Sequence, residues 1–78
     1  MVNEETELAR FKKICGDRLV ELGIKDFKIV YARRINGNWK VVVSYYDKDD
    51  PYKLINSMFI VNLDKQSIEG FQANISTY

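Results

Sequence analysis

Apolar residues keep a helical rhythm at the start of the chain and an alternating one after it. Leu8, Phe11, Cys15, Leu19 and Leu22 follow one another at steps of 3, 4, 4 and 3, which makes one stripe along a helix, with Ala9 and Ile14 beside it. Lys12, Lys13, Asp17, Arg18 and Glu21 lie mostly off that stripe. Asn3 is placed to cap the helix start, and Glu4, Glu5 and Glu7 suit the positive end of its dipole. Gly23 ends the helix. As the first residue past it, Gly23 can take the left-handed conformation, and Ile24 then packs back on Leu19 in a Schellman-type stop. The pattern predicts a helix over residues 4–22. Gly16 lies inside it and costs on the order of 1 kcal/mol relative to Ala, so it reads as a place of close packing on the sheet.

From residue 27 the period drops to two. Phe27–Tyr46 reads as two strands rich in β-branched and aromatic residues, folded about Asn36-Gly37-Asn38. A one-residue slip moves every side chain to the other face, so the sorting of apolar positions bears on register. A three-residue loop pairs Ile35 with Trp39 and sorts the faces best. Phe27, Ile29, Tyr31, Ile35, Trp39, Val41, Val43 and Tyr45 then share one face. Lys28, Val30, Ala32, Arg34, Lys40, Val42, Ser44 and Tyr46 share the other. A two-residue loop with a bulge further out gives the same parity. Asp47–Pro51 is a polar connection. Leu54–Leu63 is a third strand, Asp64–Ser67 a turn, and Ile68–Thr77 a fourth strand, with Gly70 as a bulge marker. Met58, Ile60 and Phe71 are expected on the helix side, and Phe59 and Val61 behind.

One helix followed by four strands on short links predicts an α+β fold. The helix packs across one face of a four-stranded antiparallel meander, in a single domain over residues 1–78. Such a chain buries only roughly 60% of the surface it exposes when unfolded, so its stability margin is small. One helix cannot cover four long strands. The expected bare face carries Val30, Val42, Tyr46, Phe59 and Val61, a candidate interaction surface.

Charge changes this picture in one place. The net charge is +1, with 12 basic and 11 acidic residues. Residues 27–46 hold Lys28, Arg33, Arg34 and Lys40 and no acid. That basic patch, with Tyr46 nearby, fits a single-stranded nucleic-acid platform; strands also protect exposed faces with Lys and Arg. The chain has no His and one cysteine, Cys15, on the apolar stripe. A Ser–His–Asp arrangement is therefore excluded, and Cys15 reads as a core residue. Asp47, Asp49 and Asp50 lack the spacing and closing Glu of a calcium loop and read as a solvated turn. No cofactor, no metal site and no enzymatic activity are expected. No run is long and apolar enough for a transmembrane helix, and the acidic start is unlike a signal peptide. With a lone cysteine, the expected location is the cytoplasm.

A helix followed by a long antiparallel sheet wrapped on it resembles the cystatin-like fold. Glu7-Leu8-Ala9-Arg10-Phe11 is similar to the helix start of plant cystatins, and Phe27–Ile35 and Trp39–Tyr46 occupy the places of the strands around the inhibitory loop. That loop should read Gln-x-Val-x-Gly; here it is Ile35-Asn36-Gly37-Asn38-Trp39, and the family's N-terminal glycine and later Pro-Trp are missing. A second likeness is to gas vesicle protein O and PepSY-type domains, through Gly37-Asn38-Trp39, Val61-Asn62-Leu63-Asp64 and Gly70-Phe71. Together these resemblances imply a binding or assembly module. Three functions follow, in descending order: a protein-interaction module, self-associating as a homodimer through the bare sheet face or an edge strand; a single-stranded nucleic-acid binder working through the basic hairpin; and a cystatin-type protease inhibitor.

Overall fold

The computed structural model describes residues 4–75. The expected cap at Asn3 and the last two residues of the expected fourth strand, 76 and 77, lie outside them. Helix α1 (Glu4–Glu21) is followed by β1 (Lys28–Ile35), β2 (Asn38–Tyr46), β3 (Leu54–Asn62) and β4 (Ser67–Gln72). The strands form one open antiparallel sheet in the order β1-β2-β3-β4. The α+β meander read from the sequence is the observed architecture.

The helix stop follows the sequence reading. Gly23 has φ +84°. Its N–H donates to the Val20 carbonyl at 3.0 Å, and the Ile24 N–H donates to the Leu19 carbonyl at 2.9 Å, which are the two bonds of a Schellman motif. Ile24 then packs against the core. Gly16 is a close-packing site: a Cβ there would stand 3.3 Å from the Phe27 ring. Phe11, Cys15 and Leu19 are fully buried, whereas Leu8 and Leu22 at the stripe's ends are 40% and 42% exposed. Arg10 anchors the N-terminal half of the helix by donating to the Leu63 carbonyl at 3.0 Å.

The core lies between α1 and the central strands. Phe11, Cys15 and Leu19 meet Val41, Val43 and Tyr45 of β2 and Phe59 and Val61 of β3. The Phe11 and Trp39 rings pack with centroids 5.1 Å apart, tilted by 58°.

Three register expectations are corrected. Ile35 pairs with Asn38, so the hairpin loop has two residues, not three. Asn36 (φ 47°) and Gly37 (φ 83°) both take positive φ, the requirement of a type I′ turn, so Asn38 is free to begin β2. A bulge at Val30, between Ile29 and Tyr31, then restores the expected parity for Phe27, Lys28 and Ile29. Tyr31, Arg33 and Ile35 pair with Val42, Lys40 and Asn38 and share the face turned away from α1. Ala32 and Arg34 pair with Val41 and Trp39 on the helix side.

The second correction inverts β3. Trp39 pairs with Val61, Val41 with Phe59 and Val43 with Ser57. Phe59 and Val61 are therefore core residues, while Met58 and Ile60 lie on the far face. The misleading residue was Ser57, which reads as solvent-facing yet is fully buried. Its hydroxyl shares a 2.7 Å hydrogen bond with the Tyr45 hydroxyl, which satisfies both groups inside the core. The third correction concerns the last turn. It spans Leu63–Gln66, with Asn62 opposite Ser67, and Gln66 takes positive φ (51°). The bulge anticipated at Gly70 falls at the neighbouring Glu69, and it turns Phe71 to the Phe59 side, with ring centroids 4.8 Å apart.

The Ser57–Tyr45 bond yields a stability prediction. Ser57→Ala and Tyr45→Phe each strand one buried hydroxyl and should cost roughly 1–3 kcal/mol in urea unfolding. The double variant should cost less than the sum, by at least about 0.5 kcal/mol. Strictly additive losses would show that the two hydroxyls do not depend on each other.

Candidate interaction surface

The face of the sheet turned away from α1 is built in rows, because antiparallel pairing sets partners side by side across all four strands. One row reads Tyr31, Val42, Met58, Gln72. The next, towards the hairpin tip, reads Arg33, Lys40, Ile60, Gly70. Beyond the bulge, Lys28 pairs with Ser44, and at the far end of β2 Tyr46 pairs with Leu54.

The face has two unlike ends. At one, Tyr46 and Leu54 are 60% and 54% exposed, an apolar pair standing in solvent. A hollow of about 350 Å³ opens beside them, lined also by Phe27, Lys28 and Ser44. Tyr52, in the following loop, is 93% exposed. At the other end Arg33 stands directly opposite Lys40, a like-charge pair that destabilises a sheet. Neither makes an ion pair among the described residues, where the salt bridges are Lys13–Asp17 and Arg18–Glu21 on the helix. Lys40 and Tyr46 are six positions apart on β2, about 20 Å at strand rise.

The expected surface residues divide accordingly. Val30 is 42% exposed, in the β1 bulge, and Tyr46 is exposed. Val42 lies on the face turned away from α1 yet is fully buried, so the middle of that face is not open, and Phe59 and Val61 are fully buried in the core. Those three cannot form an exposed patch. Of the basic residues, Lys28, Arg33 and Lys40 share the uncovered face, and Arg34 points to the other side beside Trp39. Leu54 was missed. It becomes visible only once Tyr46 has a cross-strand partner, and that needs the β2–β3 register.

Other features of the molecule have structural explanations. The larger hollow, about 620 Å³ between α1 and the β3–β4 turn, is lined by Ile14 and Ile68 and by helix charges that mostly pair with one another. In the acidic loop, Asp47 accepts from the Asp49 N–H at 2.8 Å and Asp50 from the Tyr52 N–H at 3.1 Å, so both carboxylates brace turns. No group of His, Cys, Asp and Glu among the described residues is placed to hold a metal. No helix among them is long and apolar enough to cross a membrane. Cys15 is fully buried, and burial pushes its thiol from 9.0 up to about 12.

No family model, curated protein or solved structure matches the chain.

Burial of Cys15 makes two linked predictions. The thiol should resist a thiol reagent at neutral pH until urea unfolds the chain. The folded chain also keeps this proton up to about pH 12, while the unfolded chain loses it from about pH 9. The associated stability is complete below pH 9.0 and is lost as pH rises towards 12, at up to roughly 1.4 kcal/mol per unit. Urea unfolding of the wild type and Cys15→Ala across this range isolates the effect from the titration of Tyr and Lys. Parallel pH profiles for the two proteins would contradict it.

Proposed function

We propose that the chain is a non-enzymatic protein-interaction module that self-associates through the apolar end of its uncovered sheet face. The observation that carries this reading is the Tyr46–Leu54 pair, two large side chains set opposite each other on an open face and mostly exposed, beside a hollow able to receive a partner's side chain. Exposed apolar side chains grouped in this way are a common mark of protein contact.

The edges of the sheet support the choice of the face over an edge strand. β1 and β4 are the two outer strands, and each is interrupted by a bulge, at Val30 and at Glu69. Bulges and edge charges obstruct strand-to-strand pairing between molecules. The cystatin-type inhibitor reading stays last. The helix-and-meander order agrees with that resemblance, but the hairpin tip is a two-residue Asn36-Gly37 turn and carries none of the inhibitory loop's sequence.

Sedimentation over a range of concentrations tests the proposal. The wild type should show a reversible dimer, and Tyr46→Lys with Leu54→Lys should raise its dissociation constant at least tenfold while leaving the urea midpoint nearly unchanged. A wild type that stays monomeric at high concentration, or a dimer indifferent to both substitutions, would remove this function.

A further inference from the structure

The opposite end of the same face carries a separate signal. Arg33 and Lys40 are forced together by the β1–β2 register, with Lys28 further along β1 on the same side. Residues 27–46 contain no acid, although Asp26 lines the same hollow as Lys28, and neither Arg33 nor Lys40 has an ion-pair partner among the described residues. Tyr31 lies in the adjoining row, one step from both cations, and Ile60 and the side-chain-free Gly70 complete the row of Arg33 and Lys40. The surface is thus cationic and bordered by a ring.

We propose that this end of the face binds single-stranded nucleic acid, with Arg33 and Lys40 on neighbouring phosphates, Lys28 on one a few nucleotides further along and Tyr31 beneath a base. Charge complementarity points to a polyanion. The choice of nucleic acid over an acidic peptide rests on the edges. An extended peptide joins a sheet by main-chain pairing along an edge strand, and the β1 edge next to these cations is broken at Val30. A strand of phosphates needs no backbone pairing; it needs spaced cations and a flat ring. From Lys28 to Arg33 the strand runs on the order of 15 Å, enough for a few nucleotides. The Arg33–Lys40 pair lies about 20 Å from the apolar end, whereas Lys28 lines the hollow there and is shared by both.

The register supplies a discriminating variant. Arg33→Glu turns the like-charge pair into an opposite-charge pair, so it should raise the urea midpoint while removing phosphate binding. Fluorescence anisotropy of a labelled oligothymidylate at low salt is the assay, with Lys12→Glu, on the outer face of the helix, as a charge-matched control. The wild type should bind with a logarithmic salt slope of about −2, as three phosphate contacts on a single strand imply. Arg33→Glu should weaken binding at least tenfold and Lys12→Glu by less than about twofold. No binding at low salt, or equal losses in the two variants, would overturn the proposal. Polyglutamate competing as well as the oligonucleotide would overturn it in favour of an acidic protein partner. Self-association measured by sedimentation is a separate readout, so either proposal can fail without the other.

Discussion

Alternation is the constraint on which the rest of this structure depends. A strand must present successive side chains to opposite faces, so one inserted residue decides which half of it reaches the core. The chain inserts such a residue twice. Val30 lets Ile29 pack towards α1 while Tyr31, Arg33 and Ile35 turn away from it. Glu69 lets Ile68 and Phe71 both reach the helix side, though they are three positions apart. The bulges also fall on the two outer strands, where they interrupt the unpaired backbone. The same local irregularity therefore sorts the core and blunts the edges, and it leaves the sheet face as the open surface.

That sorting explains how far the sequence could be read. The helix, its stop at Gly23 and the close packing at Gly16 depend on neighbours within a few positions, and the sequence shows them directly. The four strands and their order follow from period and short links. The faces were legible where polar residues break the apolar run, as Lys40 and Ser44 do between Trp39, Val41, Val43 and Tyr45. On β3 both faces are apolar, and the deciding residue was a serine. Ser57 looks like a surface residue until Tyr45 is known to stand beside it with a hydroxyl of its own. A buried polar pair is invisible to a rule that reads one residue at a time, because each partner is acceptable only in the presence of the other.

The candidate surface was affected in the same way. Inverting β3 carried Phe59 and Val61 into the core and removed the middle of the apolar patch expected behind the helix. What remains is polarised along the length of the sheet. Tyr46 and Leu54 stand exposed at one end; Arg33 and Lys40 crowd together at the other. The basic residues were visible as a run without acids. Which of the adjacent arginines faced Lys40 was not, since that turns on a bulge that composition does not encode.

The two ends differ in what they cost the isolated chain. An exposed apolar pair loses little by standing in water, because the unfolded chain exposes it as well. A like-charge pair is different: folding itself brings Arg33 against Lys40, so the repulsion is a property of the native state. A domain of this length has little stability to spare. A ligand that binds only the folded state stabilises it by mass action, and an anion seated between the two cations would in addition cancel the repulsion that folding creates. Binding at the cationic end would therefore be tightly linked to folding, and occupancy there would register as stability even if the fold did not change shape.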